Sequence, residues 1–462
     1  MTARRVAVIG GGLAGLAAAA QLRRLGIEPI VFEREDEVGG VVRTSSRDGW
    51  VIDTGAALAA EPAPAVRELL NAAGIDRCTI RAAPTGATRY IVLDGTPVML
   101  PRNTSEFSSS SLLTLGGRLR LLKERFIPAS RESAEESVDS FARRRFGDEM
   151  AERMFDPLVA STCAGDPRQI VARYAFPGVV GHERGAGSSL QGSARSRMEA
   201  RRRAKGRPIG SWSCADGMQQ LPRELAEWIG TVRTRAPVNA VSATPSGVRV
   251  TAATGAAESF DAVIFAVPAP ALGTIAIDVA GREGLSRIAS MPHASVVTVS
   301  LGFRRDQVTH PLDASRLLIP SIEQRPVLSM VFPSSVFPGR APQDHVLVTA
   351  FAGGALRPDL VDCSDADLVR LVMGEATALL GARAAPVMTQ VTRWRNALPQ
   401  AVPGHGERLA AADAIEVAEP RVAFAGSWRD GLAIGEVLLG GTQAATRLAA
   451  RCGYRESEAD PD

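Results

Sequence analysis

The sequence predicts an α/β fold in which helices cover a parallel sheet. Residues 6–9 form a short β-branched run, a glycine-rich turn follows, and residues 16–25 have the composition of a helix. A second apolar run over 27–32 then reads as a buried parallel strand, which completes a βαβ unit. A further buried strand is predicted at 260–268, and a chain of 462 residues is long enough for two or three units around a large core.

Composition excludes several classes of protein. The 53 basic and 50 acidic side chains leave a net charge of +3, too small for a global field that would attract nucleic acid. The five cysteines are scattered without a CxxC pair, which indicates a reducing, cytoplasmic location, and the five histidines have no metal-ligand spacing. No apolar run approaches the length of a membrane-spanning helix. We therefore expect no metal site and no nucleic-acid partner.

The glycine-rich turn reads GGGLAG and supplies a G-x-G-x-x-G motif between strand and helix. A secretory signal is disfavoured because a second strand follows the helix. Gly10 allows the tight turn, Gly12 lets backbone N–H groups approach a pyrophosphate, and Gly15 lets the helix pack against its strand. A carboxylate at the end of the second strand can bind both hydroxyls of an adenosine ribose. The predicted dinucleotide site comprises Gly10, Gly12, Leu13, Ala14, Gly15 and Glu33.

The next residues indicate which dinucleotide binds. After Glu33 the chain reads REDEVGGVVRT and then DGWVIDTG, where paired glycines allow a second close approach of the backbone. This E-x5-GG-x2-RT arrangement resembles the flavin amine oxidase and protoporphyrinogen oxidase superfamily, in which the double glycine lies against FAD. The resemblance implies non-covalent FAD rather than NAD. It places at the cofactor Arg34, Gly39, Gly40, Arg43 and Thr44.

Four later segments narrow the resemblance. They are FDPLVASTCAGDPRQI (155–170), DGMQQLPREL (216–225), WRNALPQAVPGHGERL (394–409) and VAFAGSWRDGLAIGEVLLGG (422–441). Together they resemble protoporphyrinogen and coproporphyrinogen oxidases, in that family's order, over nearly the whole chain. A helix opening at 435–436 and running through Gln443 is expected to point its positive end at the flavin. The further cofactor contacts implied are Val238, Trp394, Gly426, Ser427, Gly435 and Glu436.

The same resemblance implies a discontinuous organisation. One expected unit is an FAD-binding domain of Rossmann type (GR2-like), into which a mixed-sheet substrate domain and a helical, arginine-rich insertion are placed. The predicted bounds are 1–80, 209–285 and 390–455 for the FAD domain, 81–100 and 286–389 for the substrate domain, 101–208 for the helical insertion and 456–462 for a disordered tail.

Residues 195–207 carry the densest run of arginines, within SARSRMEARRRAKGR. One interpretation is a solvated loop between domains. The other is a surface that contacts an anionic membrane or an acidic partner. Nucleic-acid binding is disfavoured because no aromatic residues are interleaved with the basic ones.

The chemistry implied by the resemblance is hydride removal from a C–H bond to flavin N5, with oxygen as the expected acceptor. No catalytic acid or base is predicted from the protein. By the resemblance, Arg89 occupies the position of an arginine that pairs with a substrate propionate, which a guanidinium can bind bidentately. A surface role is the alternative, because the chain has many arginines. Ala57 and Ser161 are further predicted substrate positions, where this sequence departs from the residues usual in the family.

These departures leave the substrate open. A porphyrinogen is the leading interpretation, and a different specialised metabolite is the alternative. Amine oxidation is disfavoured because the chain has only Lys123 and Lys205, with Thr298 where an amine oxidase lysine would stand and Ala433 in place of an aromatic-cage tyrosine. A fourth interpretation is an FAD-binding protein that has lost its activity.

Overall fold

The computed structural model describes residues 4–101, 106, 110–129, 135–203 and 210–454. Within these ranges the strands are, in chain order, β1 (Arg5–Ile9), β2 (Glu28–Phe32), β3 (Thr44–Arg47), β4 (Trp50–Asp53), β5 (Thr79–Arg81), β6 (Arg89–Leu93), β7 (Thr96–Met99), β8 (Trp212–Cys214), β9 (Val232–Arg233), β10 (Val238–Thr244), β11 (Gly247–Ala252), β12 (Ala257–Phe260), β13 (Ala262–Phe265), β14 (Ala276–Asp278), β15 (His293–Arg304), β16 (Arg316–Leu318), β17 (Val327–Val331), β18 (His345–Gly353), β19 (Met388–Pro399) and β20 (Val422–Phe424).

The α-helices within the same ranges vary from single turns to five turns. They are Leu13–Arg24, Pro64–Ala72, Leu115–Leu122, Val138–Phe146, Asp148–Met150, Asp156–Cys163, Ala172–Ala175, Pro177–Ala186, Ser189–Arg203, Gln220–Ile229, Ala269–Leu272, Leu285–Ala289, Pro333–Val336, Asp365–Leu380, His405–Ala418, Ser427–Asp430 and Ile434–Arg451. A π-helical segment, Ala151–Phe155, precedes helix Asp156–Cys163.

A five-stranded parallel sheet carries the predicted βαβ unit at its centre, in the order β20-β13-β1-β2-β9. Strand β1 pairs in parallel with β2 on one side and with β13 on the other. Its residues alternate between two apolar cores: Val6 and Val8 face the helices, whereas Ala7 and Ile9 face a second sheet, β12-β11-β10-β14. The α/β class and the Rossmann-type unit are confirmed.

The last helix crosses the first helix at very close range. A Cβ atom on Gly441 would lie 2.1 Å from the carbonyl oxygen of Ala14, so only glycine fits at this crossing. The helix continues to Arg451, beyond the end expected at Gln443, because its later turns bury Ala444, Leu448 and Ala449 in the same core.

A seven-stranded mixed sheet forms the second main layer, in the order β19-β15-β18-β17-β16-β6-β7. Strands β6 and β16 run parallel, and the other neighbours are antiparallel. Strand β19 pairs along most of β15. Residues 390–399 therefore belong to this sheet, and the boundary expected at 390 is wrong.

The two faces of this sheet have different coverings. Helix Asp365–Leu380 packs on one face with a continuous apolar core. On the other face, hairpin β3-β4 places Trp50 against Gly302, where an added Cβ would meet the indole at 2.5 Å. Helix Asp156–Cys163 is anchored beyond β16, where the Asp156 carboxylate accepts the Ser321 N–H at 2.7 Å. This second face is thus held between the hairpin and the helical insertion.

The helical insertion includes a buried charge cluster. The Arg145 guanidinium is fully buried and pairs with Glu124 at 2.8 Å and with Glu183 at 3.5 Å. The arginine-rich stretch is helical through Arg203, so the loop interpretation of 195–207 is wrong for its first part, because these residues continue the helix that begins at Ser189. Residues 204–207 and the tail 456–462 lie outside the described residues. Among the residues described, no helix is long and apolar enough to span a membrane.

Candidate cofactor and substrate site

Two glycine segments meet at the carboxyl end of β1. The Gly39 N–H donates to the Gly11 carbonyl at 2.8 Å, and Gly12 forms a parallel bridge with Gly39. A Cβ on Gly15 would lie 1.9 Å from the Gly10 oxygen, which explains the third glycine of the motif. A Cβ on Gly12 would meet nothing within 4 Å. The backbone there borders open space, as a pyrophosphate site requires.

Glu33 lies at the end of β2 beside this turn and is buried. Its carboxylate accepts the Gly11 N–H at 2.7 Å and the Glu35 N–H at 2.8 Å, which fixes its orientation. The Ala236 N–H donates to the Glu33 carbonyl at 2.8 Å and so brings the start of β10, with Val238, alongside. Arg34 is exposed and pairs with Glu35 at 2.9 Å. The predicted adenosine end of the site is thus assembled from two separate segments.

The C-terminal motif lies on the same sheet. Gly426 follows β20 with a φ of +137°, and its N–H donates to Asp430 at 2.8 Å across the short helix that starts at Ser427. Gly435 lies in the first turn of the last helix and borders open space. The Glu436 carboxylate accepts the Ala433 N–H at 3.0 Å and caps that helix. Glu436 therefore has a local structural contact, and its contact with a cofactor stays a prediction.

Two side chains of the mixed sheet donate to one backbone carbonyl, that of Thr54 just after hairpin β3-β4. The Thr54 carbonyl accepts the Trp394 indole N–H at 2.6 Å and the Thr298 hydroxyl at 3.0 Å. Thr298 is buried. Trp394 therefore joins the mixed sheet to the segment that follows hairpin β3-β4, and its contact with a cofactor stays a prediction.

A buried ion pair fixes the same junction. The Asp53 carboxylate accepts the Thr44 hydroxyl at 2.6 Å and the Met218 N–H at 2.8 Å, and it lies 3.5 Å from the Arg340 guanidinium. Arg340 also donates to the Cys214 carbonyl at 2.9 Å. Burial raises the pKa of Asp53, and the Arg340 charge opposes that rise. Neither Asp53 nor Arg340 was predicted, because the pairing of distant segments gives no local sequence signal.

Arg43 has a local role in these contacts. Its guanidinium donates to the Gly40 carbonyl at 3.2 Å and to the Glu37 carboxylate at 2.8 Å. Glu37 also accepts the Gln219 amide, which is the main reason its pKa is lowered. The loop that carries Gly39 and Gly40 is therefore braced by charged side chains on its solvent side.

The predicted substrate residues lie on three separate segments of the chain. Arg89 opens β6 and is exposed, yet desolvation by the surrounding protein lowers its pKa. The Ala57 carbonyl accepts the Ser213 hydroxyl at 3.0 Å, and the Ser161 hydroxyl donates to Leu158 within its own helix at 3.2 Å. No hydrogen bond joins Arg89, Ala57 and Ser161 to one another in the described chain. Arg316, which was not predicted, is the strand neighbour of Arg89.

The arrangement suits a dinucleotide rather than a metal. No group of three or more metal-binding side chains occurs within the described ranges. The open backbone at Gly12, the helix beginning at Leu13 and the buried carboxylate of Glu33 are the features that the predicted phosphate and ribose contacts would need. All five cysteines are free.

Comparisons with known proteins agree with this geometry. The family model for flavin-containing amine oxidoreductases matches residues 13–449. The chain belongs to this family. It is 32% identical to a mitochondrial protoporphyrinogen oxidase of Nicotiana tabacum, over 96% of this chain and 94% of the relative. It is 25% identical to a coproporphyrinogen III oxidase of Bacillus subtilis (strain 168), over 93% and 95%.

A solved structure supports the fold of this flavin oxidoreductase. A protein of Exiguobacterium sp. 255-15, provisionally assigned as a protoporphyrinogen oxidase, superposes with a TM-score of 0.78 at 22% identity, over 96% of this chain and 98% of the other. The predicted branch within the family, resembling porphyrinogen oxidases, is confirmed by these relatives. The individual cofactor and substrate contacts stay predictions.

Proposed function

We propose that this flavin oxidoreductase binds FAD non-covalently and oxidises a porphyrinogen, coproporphyrinogen III or protoporphyrinogen IX, with oxygen as acceptor. The observation that carries this proposal is the 32% identity to a protoporphyrinogen oxidase over 96% of the chain. The cradle of Gly12, Gly40 and Glu33 supports the choice of a dinucleotide form of flavin.

The chain's own residues have a positioning role in this chemistry. Bound FAD would supply the acceptor for hydride from the substrate C–H bond. The helix beginning at Leu13 favours the pyrophosphate charge, and the helix beginning at Ile434 would favour negative charge on the reduced ring. Glu33 would orient the ribose. We assign no acid or base role to a side chain.

An amine substrate is not favoured by the site. The Thr298 hydroxyl, which stands where an amine oxidase lysine is expected, donates to the Thr54 carbonyl and is buried. Ala433 has no aromatic ring and is exposed. A substrate with carboxylates is favoured instead by Arg89, which has no acidic partner within ion-pair distance among the described residues.

The test is an aerobic assay of purified, FAD-loaded protein with each porphyrinogen, followed by porphyrin fluorescence against an enzyme-free control. We expect enzyme-dependent fluorescence with one substrate. Arg89→Ala should keep its FAD and raise KM about 10- to 100-fold, the value of one charge-assisted contact. Oxidation of both substrates at the control rate by a protein with a normal flavin spectrum would overturn the proposal.

We also propose peripheral contact with an anionic membrane through the helical insertion. Helix Leu115–Leu122 presents Leu115, Leu119 and Leu122 at 74%, 53% and 70% exposure, on one face by their spacing. Phe126 is 71% exposed on the following turn, beside Lys123 and Arg125. These four residues, the apolar patch, combine with basic side chains as interfacial segments do.

Vesicle co-sedimentation tests this contact. We expect binding to vesicles containing phosphatidylglycerol, weaker binding to neutral vesicles, and loss of binding in the Leu119→Glu, Phe126→Glu variant. Val417→Glu is the matched control, because Val417 is 78% exposed outside the apolar patch. Equal binding of the double variant and of Val417→Glu to the vesicles would exclude the apolar patch as the membrane contact. Cytoplasmic location stays a prediction from the cysteines.

A further inference from the structure

One face of the mixed sheet carries a row of side chains across five strands. The strand register places Arg89 beside Arg316, Arg316 beside Val331 and Val331 beside Thr349. The row continues through Ser300. Side chains at paired positions lie on the same face of a sheet. Ser300 is two residues from Thr298, which contacts Thr54, so this row lies on the face turned towards the nucleotide-binding part.

Arg316 differs from the other buried arginines of the protein. Arg145 pairs with two glutamates, and Arg340 pairs with Asp53 and donates three hydrogen bonds. Arg316 is half-buried, its Nε atom is fully buried without a hydrogen-bond partner, and no described carboxylate lies within ion-pair distance. The acid closest in sequence, Asp313, instead accepts the Tyr90 hydroxyl at 2.7 Å.

The neighbouring charge makes this arrangement unfavourable without a ligand. Burial, assisted by the like charge of Arg89, lowers the pKa of Arg316 to about 10. Arg316 is still cationic at neutral pH. Two adjacent guanidiniums without counterions are stabilised when anions enter between them and the cleft. The protein therefore keeps an uncompensated double positive charge on the face that borders the predicted substrate.

We propose that Arg316 is a second anion-binding residue of the substrate cleft, which together with Arg89 binds two carboxylates of the substrate. The inference rests on the proposed function and deepens it, because it makes Arg316 a determinant of specificity for polycarboxylate substrates. A guanidinium presents paired donors in the geometry of a carboxylate, so each arginine can take one acid group.

The spacing of the sheet adds a condition on size. Thr298 on β15 and Arg316 on β16 are separated by two intervening strands. Three strand spacings correspond to about 14 Å. A substrate oxidised near Thr298 must therefore extend across the sheet to place acid groups at the arginine pair. A large macrocycle with carboxylate arms meets this condition, and a small amine does not.

Equilibrium binding of a stable ligand tests the role of Arg316 without turnover. Coproporphyrin III is titrated into the FAD-loaded protein, and Kd is measured from porphyrin fluorescence. We expect Arg316→Gln and Arg89→Gln each to raise Kd about 10- to 100-fold. Arg249→Gln is the control for net charge, because Arg249 is exposed on β11, outside the mixed sheet, and should leave Kd unchanged.

Thermal unfolding separates binding from a structural role. Arg316→Gln should keep its FAD and its Tm, or raise Tm by relieving the repulsion with Arg89. A lower Tm with unchanged Kd would show that Arg316 only supports the fold, and this result overturns the inference. An unchanged Kd with unchanged Tm overturns it equally.

A second probe distinguishes failure of this inference from failure of the proposed function. Citrate, a small polycarboxylate, is added at constant ionic strength, and its effect on Tm is compared in the wild type and Arg316→Gln. Stabilisation of the wild type alone would support the arginine pair even if no porphyrin binds, in which case the porphyrinogen proposal fails. Porphyrinogen oxidation with the wild-type KM by Arg316→Gln would leave the proposed function intact and remove the inference.

Discussion

Replacement of Arg340 by methionine should destabilise the buried contact between hairpin β3-β4 and strand β8. Methionine is an apolar side chain of similar length, so the packing is largely retained. The Asp53 carboxylate stays buried, however, with the Thr44 hydroxyl and the Met218 N–H as its remaining donors. Removal of one partner of a buried ion pair costs about 3–5 kcal/mol. For 462 residues the unfolding entropy is about 1 kcal/mol per degree, so Tm should fall by about 3–5 °C.

The loss should depend on pH. Burial already raises the pKa of Asp53, and without the Arg340 charge the pKa rises further. The folded state then binds a proton that the unfolded state has lost, so stability decreases as pH rises from the unfolded pKa through the folded pKa. The deficit of Arg340→Met relative to the wild type should thus be largest near neutral pH and smaller near pH 5.

Thermal unfolding of the FAD-loaded protein at the two pH values measures both effects. Asp53→Asn combined with Arg340→Met removes the buried charge and should recover at least about 1 kcal/mol of the loss near neutral pH. A single-variant deficit below about 1 kcal/mol, or the same deficit at both pH values, would refute the reasoning.

Three further predictions concern single residues. Glu33→Gln should raise the Kd for FAD about 10- to 100-fold, measured from flavin release. Glu35→Gln, at an exposed site, should leave this Kd unchanged. Gly441→Val should force the first and last helices apart and lower both Tm and FAD content. Gly374→Ala, in open space on a helix, should leave FAD content unchanged and should not lower Tm, because alanine favours a helix more than glycine does. Burial lowers the pKa of His405 from 6.5 to about 4. The free energy of unfolding should therefore fall by about 3 kcal/mol as the pH is lowered from 6.5 to 4, because the unfolded state binds a proton that the folded state does not. Urea unfolding of His405→Phe should show no such dependence.

Locally encoded features could be predicted from the sequence. The turn at 10–15 combines three glycines with flanking β-branched and helix-forming residues, so strand, cradle and helix were assigned from one segment. The last helix was likewise assigned from its first turn. Its predicted end at Gln443 is too early, because Gly441 and later residues pack against the first helix and extend it to Arg451. Its length is determined by packing rather than by a capping signal.

Features that depend on pairing between distant strands could not be predicted. Trp394 was assigned to the FAD-binding domain from its motif, whereas its strand β19 pairs with β15. This pairing could not be predicted, because strand register leaves no signal in a single segment. Arg316 gave no signal, because its neighbour Arg89 comes from a strand far along the chain. The Asp53 and Arg340 pair is similar: each residue is ordinary in its own segment, and their burial together makes them a pair.

The position of β1 in its sheet affects how the chain folds during synthesis. Strand β1 is made before the other described strands, but its neighbour β13 begins about 250 residues later and the outer strand β20 about 160 residues after that. Pairing over such separations is slow, and the apolar edge of β1 stays open to wrong partners while the inserted units are made. The open edge of β1 is therefore exposed to wrong pairing until β13 is made, and the predicted cofactor site is complete only once β20 and the last helix follow, although its glycine motif is made long before them.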